Sequence, residues 1–134
     1  MGGRGLVTRG GVDCDVLLVG AGLANSLIAL ELDRRRPDLK VLMLEADLGQ
    51  VEDHTWCVFE TDMSAQAWQT LSPSFDSLWP GYQVAFPEHG RDLTTPYGCL
   101  TSETLSQILA ARANIRIEQG HVLRTTPTQA VLKT

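Results

Sequence analysis

A short apolar run that breaks into glycine constrains this chain more than any other stretch. Asp15-Val16-Leu17-Leu18-Val19 leads directly into Gly20-Ala21-Gly22-Leu23-Ala24-Asn25, and a helical apolar pattern starts at once behind it. Strand formers, a glycine turn and a helix start in that order set free backbone N–H groups and the positive end of a helix dipole at the strand tip. That arrangement suits a pyrophosphate. Gly20 permits the tight turn, and Gly22, lacking a Cβ, lets phosphate oxygens approach the backbone closely. Asn25 stands where a third glycine would complete the G-x-G-x-x-G pattern, a position that asks for a small residue so that helix and strand pack closely. Its side chain hydrogen-bonds either the turn or the ligand.

The surroundings strengthen a motif that is weak alone. Leu27, Ile28, Leu30 and Leu32 continue a wide apolar helical face. Arg34, Arg35 and Arg36 stand where cations complement the helix dipole, and Pro37 forbids continuation. Lys40-Val41-Leu42-Met43-Leu44-Glu45 reads as a second buried strand closed by a carboxylate. Glu45 comes 25 residues after Gly20, near the offset of about 20 residues expected of the acid that binds ribose hydroxyls. The stretch therefore predicts a dinucleotide-binding βαβ unit; an ordinary α/β unit with a glycine-rich turn is the alternative.

With 134 residues the chain is long enough for one domain with a core. A hydrophobic content of 43% and a charged content of 20% are globular values. The net charge of −5, with no accumulated basic stretch, argues against a nucleic-acid partner. Cys14, Cys57 and Cys99 are odd in number and far apart, which argues against a disulfide framework and fits a reducing compartment. No metal-ligand spacing occurs; His54 and Cys57 are the nearest pair. Asp13 and Asp15, with the glycines behind them, interrupt what would otherwise imitate a signal peptide. No stretch offers the roughly 20 uninterrupted apolar residues of a spanning helix. Residues 1–14 are expected to be a flexible leader.

Further along, residues 46–62 read as a loop whose Trp56 and Phe59 either seed packing or fold over a cofactor. A short helix is predicted over 63–71, with Ser64 as its cap and Ser72-Pro73 as its end. Trp79-Pro80-Gly81 signals a turn, and Tyr82–Phe86 alternates as a strand stopped by Pro87. Glu88–Arg91 reads as a turn, with Asp92–Tyr97 returning as an irregular edge strand limited by Pro96. A second clear helix opens at Thr101-Ser102-Glu103, capped by Ser102, shows a face of Leu105, Ile108 and Leu109, and ends near Ala113-Asn114. Ile115–Glu118 reads as a strand closed by Gly120, and His121–Arg124 with Ala130–Leu132 as a hairpin. His54, His89 and His121 are isolated, and no nucleophile–base constellation emerges from spacing.

Four stretches together resemble the bacterial-type lycopene β-cyclases of carotenoid biosynthesis. They are Gly20-Ala21-Gly22-Leu23-Ala24-Asn25 with Leu27–Leu30; His54-Thr55-Trp56; Trp79-Pro80-Gly81-Tyr82-Gln83-Val84-Ala85-Phe86-Pro87; and Tyr97-Gly98-Cys99-Leu100-Thr101-Ser102. The Gly-x-Gly-Leu-Ala-Asn form is itself similar to the family's. The resemblance implies an α/β fold with a Rossmann-type FAD-binding βαβ start and additional mixed strands, residues 15–134 forming an incomplete domain. Gly20, Ala21, Gly22, Leu23, Ala24, Asn25 and Glu45 would be the cofactor-binding residues. FAD would act in its reduced form, with NAD(P)H as reductant, and no metal is implied. The implied reaction has no net redox change: a proton adds to the terminal double bond of lycopene or a related acyclic carotene, the cation closes a ring, and a proton leaves. The family's acidic catalytic motif and most of its carotenoid pocket lie beyond the equivalent of residue 134, so the chain is expected to be an N-terminal fragment, inactive alone and lacking its C-terminal portion. A cytoplasmic protein with peripheral membrane association is implied, because carotenes reside in bilayers. The alternatives are a truncated, non-catalytic nucleotide-binding module and the N-terminal part of another flavoprotein oxidoreductase, such as a monooxygenase or isoprenoid reductase.

Overall fold

The computed structural model describes residues 14–49 and 53–133; of the leader expected over 1–14 only Cys14 lies within them. The chain divides into two compact units, one formed by its two ends and the other by residues 53–107, with the division falling just before Ile108.

In the first unit, β1 (Val16–Val19), α1 (Leu23–Arg35) and β2 (Val41–Glu45) form a parallel βαβ unit, Val16 pairing with Val41 and Val19 with Leu44. β2 is the central strand. Val41, Leu42, Met43 and Leu44 are all buried, as an unbroken apolar run requires when both faces of a parallel sheet are covered. α1 is amphipathic in a different sense from the one its leucines suggest. Its two fully buried residues are Ser26 and Ala29, whereas Ile28 is about half exposed. Small side chains allow close packing of the helix, so they take the inward face and the bulky residues sit at the margins. The arginines at the end of the helix form surface pairs: Arg34 and Arg35 with Glu31, and Arg36 with Asp38. Arg34 and Arg35 pull the Glu31 carboxyl down to about 2, chiefly through hydrogen bonds from Arg34 and then Arg35.

The second unit is antiparallel and corrects several expectations. Thr55–Phe59 is a strand, β3, not part of a loop. It ends in a 3₁₀ turn, Glu60–Asp62, whose Asp62 carboxylate accepts from the Phe59 amide at 3.0 Å. Thr55 to Phe59, rich in strand formers, had no visible partner, because the strand it joins lies about forty residues on. The predicted helix is α2 (Ala65–Leu71), with the Ser64 hydroxyl accepting from the Ala67 amide at 3.2 Å as expected. A 3₁₀ turn over Ser72–Ser74 follows, and then β4 (Ser77–Trp79), which the sequence reading did not anticipate. β5 (Tyr82–Phe86) is where it was predicted. Its partner β6 begins at His89 and ends at Leu93, so the turn is Pro87-Glu88 and not Glu88–Arg91. Pro96 lies in the link between β6 and β7 (Tyr97–Thr101).

β7 is the middle strand of a sheet ordered β3-β7-β4. Behind it the Phe75 ring lies against Gly98, where a Cβ would run into the ring, and meets Trp68 edge-on at 5.5 Å. Phe59 packs against Tyr97 and Tyr82 at 4.6 and 5.1 Å between ring centres, so it serves packing; Trp56 lies 5.6 Å from His54.

α3 (Ser102–Ala110) buries Leu105 and Leu109. Its cap is Thr101, not Ser102: the Thr101 hydroxyl accepts from the Thr104 amide at 3.2 Å, while the Ser102 hydroxyl accepts from the His54 amide. An extended strand residue already has the backbone conformation of an N-cap, so the cap falls on the last residue of β7. Asp76 completes this helix start by accepting from the Thr101 amide at 2.6 Å and from the Thr104 hydroxyl. The helix ends at Ala110, short of Ala113-Asn114.

The end of the chain returns to the first unit. β8 (Ile115–Gln119) pairs parallel with β2, giving the sheet order β1-β2-β8. β9 (Val122–Thr125) and β10 (Ala130–Leu132) form the expected antiparallel hairpin. Among the described residues, no helix is long and apolar enough to cross a membrane.

Candidate functional site at the carboxyl ends of the parallel strands

Three parallel strands finish side by side, at Val19, Glu45 and Gln119. The chain leaves two of them through a glycine locked to β2: the Gly20 amide donates to the Leu44 carbonyl and the Gly120 amide to the Glu45 carbonyl, both at 2.8 Å. Ligands of open α/β sheets collect at this edge, where loops diverge beyond the strand ends. Here a cavity of about 160 Å³ opens between Val19, Gly20, Glu45, Gly120 and His121.

Gly20 has φ +93°, the one positive φ among the described residues, so the turn demands glycine on torsional grounds. Gly22 is different. Its φ of −72° and ψ of 174° suit any residue, and a Cβ built there would meet nothing within 4 Å. What glycine supplies at 22 is open space above the backbone. Gly22 is also the N-cap of α1, with no side chain capping the helix and no acidic residue in its first turn. The N–H groups of Leu23, Ala24 and Asn25 therefore begin a helix whose positive end has no side-chain carboxylate in its first turn.

Of the two uses expected of the Asn25 amide, the structure shows the one toward the turn. Its Nδ2 donates to the Val19 carbonyl at 2.8 Å and to the Gly20 carbonyl at 3.0 Å. The side chain thus clasps the strand end to the glycine turn, while close helix–sheet contact falls to Ser26 and Ala29.

Glu45 is also tied to the turn. Its Oε2 accepts from the Ala21 amide at 2.8 Å, and its Oε1 from the Asp47 amide at 3.3 Å. The Ala21 N–H is the main reason its carboxyl is held below the ordinary 4.5; partial burial opposes this, and the Asp47 and Ala46 amides add to the lowering. An anionic carboxylate with a longer, weaker contact at Oε1 therefore faces the strand-end cavity. All seven residues picked out from the sequence, Gly20 to Asn25 and Glu45, belong to this one region. Gly120 and His121 were not foreseen. β8 alternates where a parallel strand buried on both faces would be solidly apolar, and its partner is more than seventy residues away.

Fold and site together define a mixed α/β protein whose parallel sheet carries a glycine turn and a strand-end acid. The family model described as "Lycopene cyclase protein" matches residues 15–132, and the chain belongs to that family. It is 45% identical over 103 residues to a lycopene beta-cyclase of Paracoccus sp. (strain N81106 / MBIC 01143), a match covering 76% of this chain and 27% of that protein. It is 39% identical over 95 residues to a lycopene beta-cyclase of Pantoea ananas and 41% identical over 95 residues to one of Pseudescherichia vulneris, each match covering 71% of this chain and 25% of the relative. The chain thus spans about a quarter of the length of the curated relatives it matches.

Proposed function

We propose that this chain is the FAD-binding start, of Rossmann type, of a lycopene β-cyclase. The observation that carries this reading is the pairing of the open backbone at Gly22, on an uncapped helix start, with the Glu45 carboxylate fixed 2.8 Å from the Ala21 amide. The residues present fit the cofactor's chemistry. The N–H groups at Leu23 and Ala24, together with the helix dipole, would hold the pyrophosphate. Glu45, anionic at neutral pH, would accept hydrogen bonds from the ribose hydroxyls while keeping the turn in place through Ala21. Asn25 would keep the Gly20 carbonyl turned away from the phosphates by holding it in its own hydrogen bond. Reduced flavin, regenerated by NAD(P)H, would supply negative charge near the cation that arises when the end of lycopene or a related acyclic carotene is protonated and closes to a ring.

Among the described residues, three carboxylates are already engaged in local structure. Asp62 and Asp76 cap local structure and Glu45 orders the turn. The proton donor and the water-free carotene pocket that ring closure requires are assigned to the remaining part of the enzyme. A cytoplasmic protein with peripheral membrane contact belongs to this reading: the substrate resides in bilayers, and three separated cysteines fit a reducing compartment.

Titration of the purified chain with FAD, followed by quenching of flavin fluorescence, tests the reading, with ADP as a competitor for the adenylate half. Saturable binding that ADP displaces is expected. Absence of FAD binding, or binding that Gly22→Val leaves unchanged, overturns the assignment.

A further inference from the structure

The strand pair β3–β7 places two thiols directly opposite each other. Cys57 and Cys99 are register partners in this antiparallel ladder, and neither is in a disulfide. The type of pair follows from the hydrogen bonds at the two ends of the ladder. Ser102 donates to the His54 carbonyl and Glu60 to the Pro96 carbonyl, each at 2.9 Å. Positions 54/102 and 60/96 are thus hydrogen-bonded pairs. Since the two kinds alternate along an antiparallel ladder, 56/100 and 58/98 are hydrogen-bonded as well, and 55/101, 57/99 and 59/97 are not. Non-hydrogen-bonded partners bring their Cα atoms to about 4.5 Å and their side chains closer than the other kind, within the Cα range of about 4.4–6.8 Å that a disulfide spans. The rings at the next such pair, Phe59 and Tyr97, lie 4.6 Å apart between centres, in keeping with this assignment.

Directly opposed residues share a face, so both thiols project from the same side of the sheet. Cys57 is exposed and Cys99 partly so. The Tyr97 phenol is raised above its ordinary range chiefly by the neighbouring Cys57 side chain, which fits a thiol lying on the face of β7 that also carries Cys99. The third cysteine, Cys14, precedes β1 in the other unit.

We propose that Cys57 and Cys99 form a redox-modifiable cross-strand pair that hydrogen peroxide or a related hydroperoxide converts to an intramolecular disulfide. In the first step the thiolate of Cys57, the more exposed sulfur, attacks one peroxide oxygen. The O–O bond breaks, the departing hydroxide takes up the proton the thiol released and leaves as water, and Cys57 becomes a sulfenic acid. In the second step the Cys99 sulfur attacks the Cys57 sulfur, the S–O bond breaks and a second water leaves. Two thiols and one peroxide thus give one disulfide and two waters, the two electrons passing from sulfur to oxygen. A dithiol reductant reverses the change by thiol–disulfide exchange. Such a bond is exposed, closes across a single pair of strands and forms in a chain whose odd cysteine count argues against a permanent framework, which fits a reversible modification.

Trypsin makes the test direct, because no lysine or arginine lies between Lys40 and Arg91 and the next after Arg91 is Arg112. Cys57 and Cys99 therefore fall in separate peptides, 41–91 and 92–112, and Cys14 in a third. The reduced, folded chain is treated with graded hydrogen peroxide, blocked with an alkylating agent, digested and mapped by mass spectrometry with and without reductant. The expected result is loss of two of the three thiols, a linked 41–91/92–112 pair that reductant separates, and Cys14 recovered alkylated. Cys99→Ser should leave a sulfenic acid on Cys57 that a dimedone probe captures. Linkage through Cys14, dimers joined through Cys57, or passage of Cys57 to sulfinic acid without linkage in the wild-type chain would each overturn the proposal. The wild-type map is decisive by itself, whether or not the variant folds.

Discussion

Gly20 and Gly22 are two residues apart, yet substitution should affect them in opposite ways, and the contrast separates a glycine needed by the fold from one needed by a ligand. At Gly20 the φ of +93° is the obstacle, since the nearest atom to a new Cβ, Asn25 Nδ2, is an unstrained 3.8 Å away. Gly20→Ala therefore carries a torsional cost of about 1–2 kcal/mol. At Gly22 the backbone is already extended and nothing lies within 4 Å of the new Cβ. Gly22→Ala restricts the unfolded chain, worth about 0.4–1 kcal/mol in favour of the fold, and gives up an N-cap preference of similar size. The two nearly cancel, and the net change should stay within about 0.5 kcal/mol. Urea unfolding followed by far-UV circular dichroism measures both variants. Flavin titration then asks the second question: Gly22→Ala should weaken FAD binding and Gly22→Val abolish it in a chain that is still folded, because the side chain fills the space through which, on the proposed reading, phosphates would reach the backbone. A loss of more than about 1.5 kcal/mol for Gly22→Ala would show that the space is not free. Wild-type FAD affinity in Gly22→Val would place the ligand elsewhere.

The other predictions rest on single contacts. Glu45→Ala removes a charged acceptor from Ala21 and, on the proposed reading, from the ribose, so FAD affinity should fall by roughly 1.5–3 kcal/mol; an unchanged titration would leave Glu45 as a strand-end residue only. Acid should destabilise the chain through carboxylates whose folded pKa is depressed. Asp76 is lowered from 3.8, first by the Thr104 hydroxyl and then by the Thr101 amide, so its contribution is full above 3.8 and is lost as pH falls through its lower folded value. Melting temperature followed downward through that range should drop less steeply in Asp76→Asn than in wild type, and parallel curves would refute the role. Gly98→Ala should cost about 1–3 kcal/mol by driving a Cβ into the Phe75 ring, with recovery in the double variant Gly98→Ala/Phe75→Leu; failure to recover would move the cause away from Phe75.

Much of the glycine-turn region was readable because its determinants are local. The turn needs glycine at 20, the helix needs Pro37 to stop it, and β2 announces itself by an apolar run too long to face water on either side. The β9–β10 hairpin and the Ser64 cap were legible for the same reason: the residues that interact stand within a few positions of each other.

What escaped the sequence reading depends on partners far along the chain. Thr55–Phe59 becomes a strand because β7 supplies its hydrogen bonds; Ile115–Glu118 was read as a strand, but its place beside β2 in the parallel sheet was not. A segment of five residues carries no record of which distant edge will accept it. The inward face of α1 escaped for a related reason: hydrophobicity favours the leucines, but the close contact selects Ser26 and Ala29. The sequence by itself determined the strand–turn–helix–strand start, its acid at 45 and the resemblance to lycopene cyclases. Only the tertiary structure decided that Asn25 clasps the turn, that Gly120 and His121 complete the strand-end cavity and that Cys57 faces Cys99, because each of these depends on how segments are placed against one another, which the chain settles only when it folds.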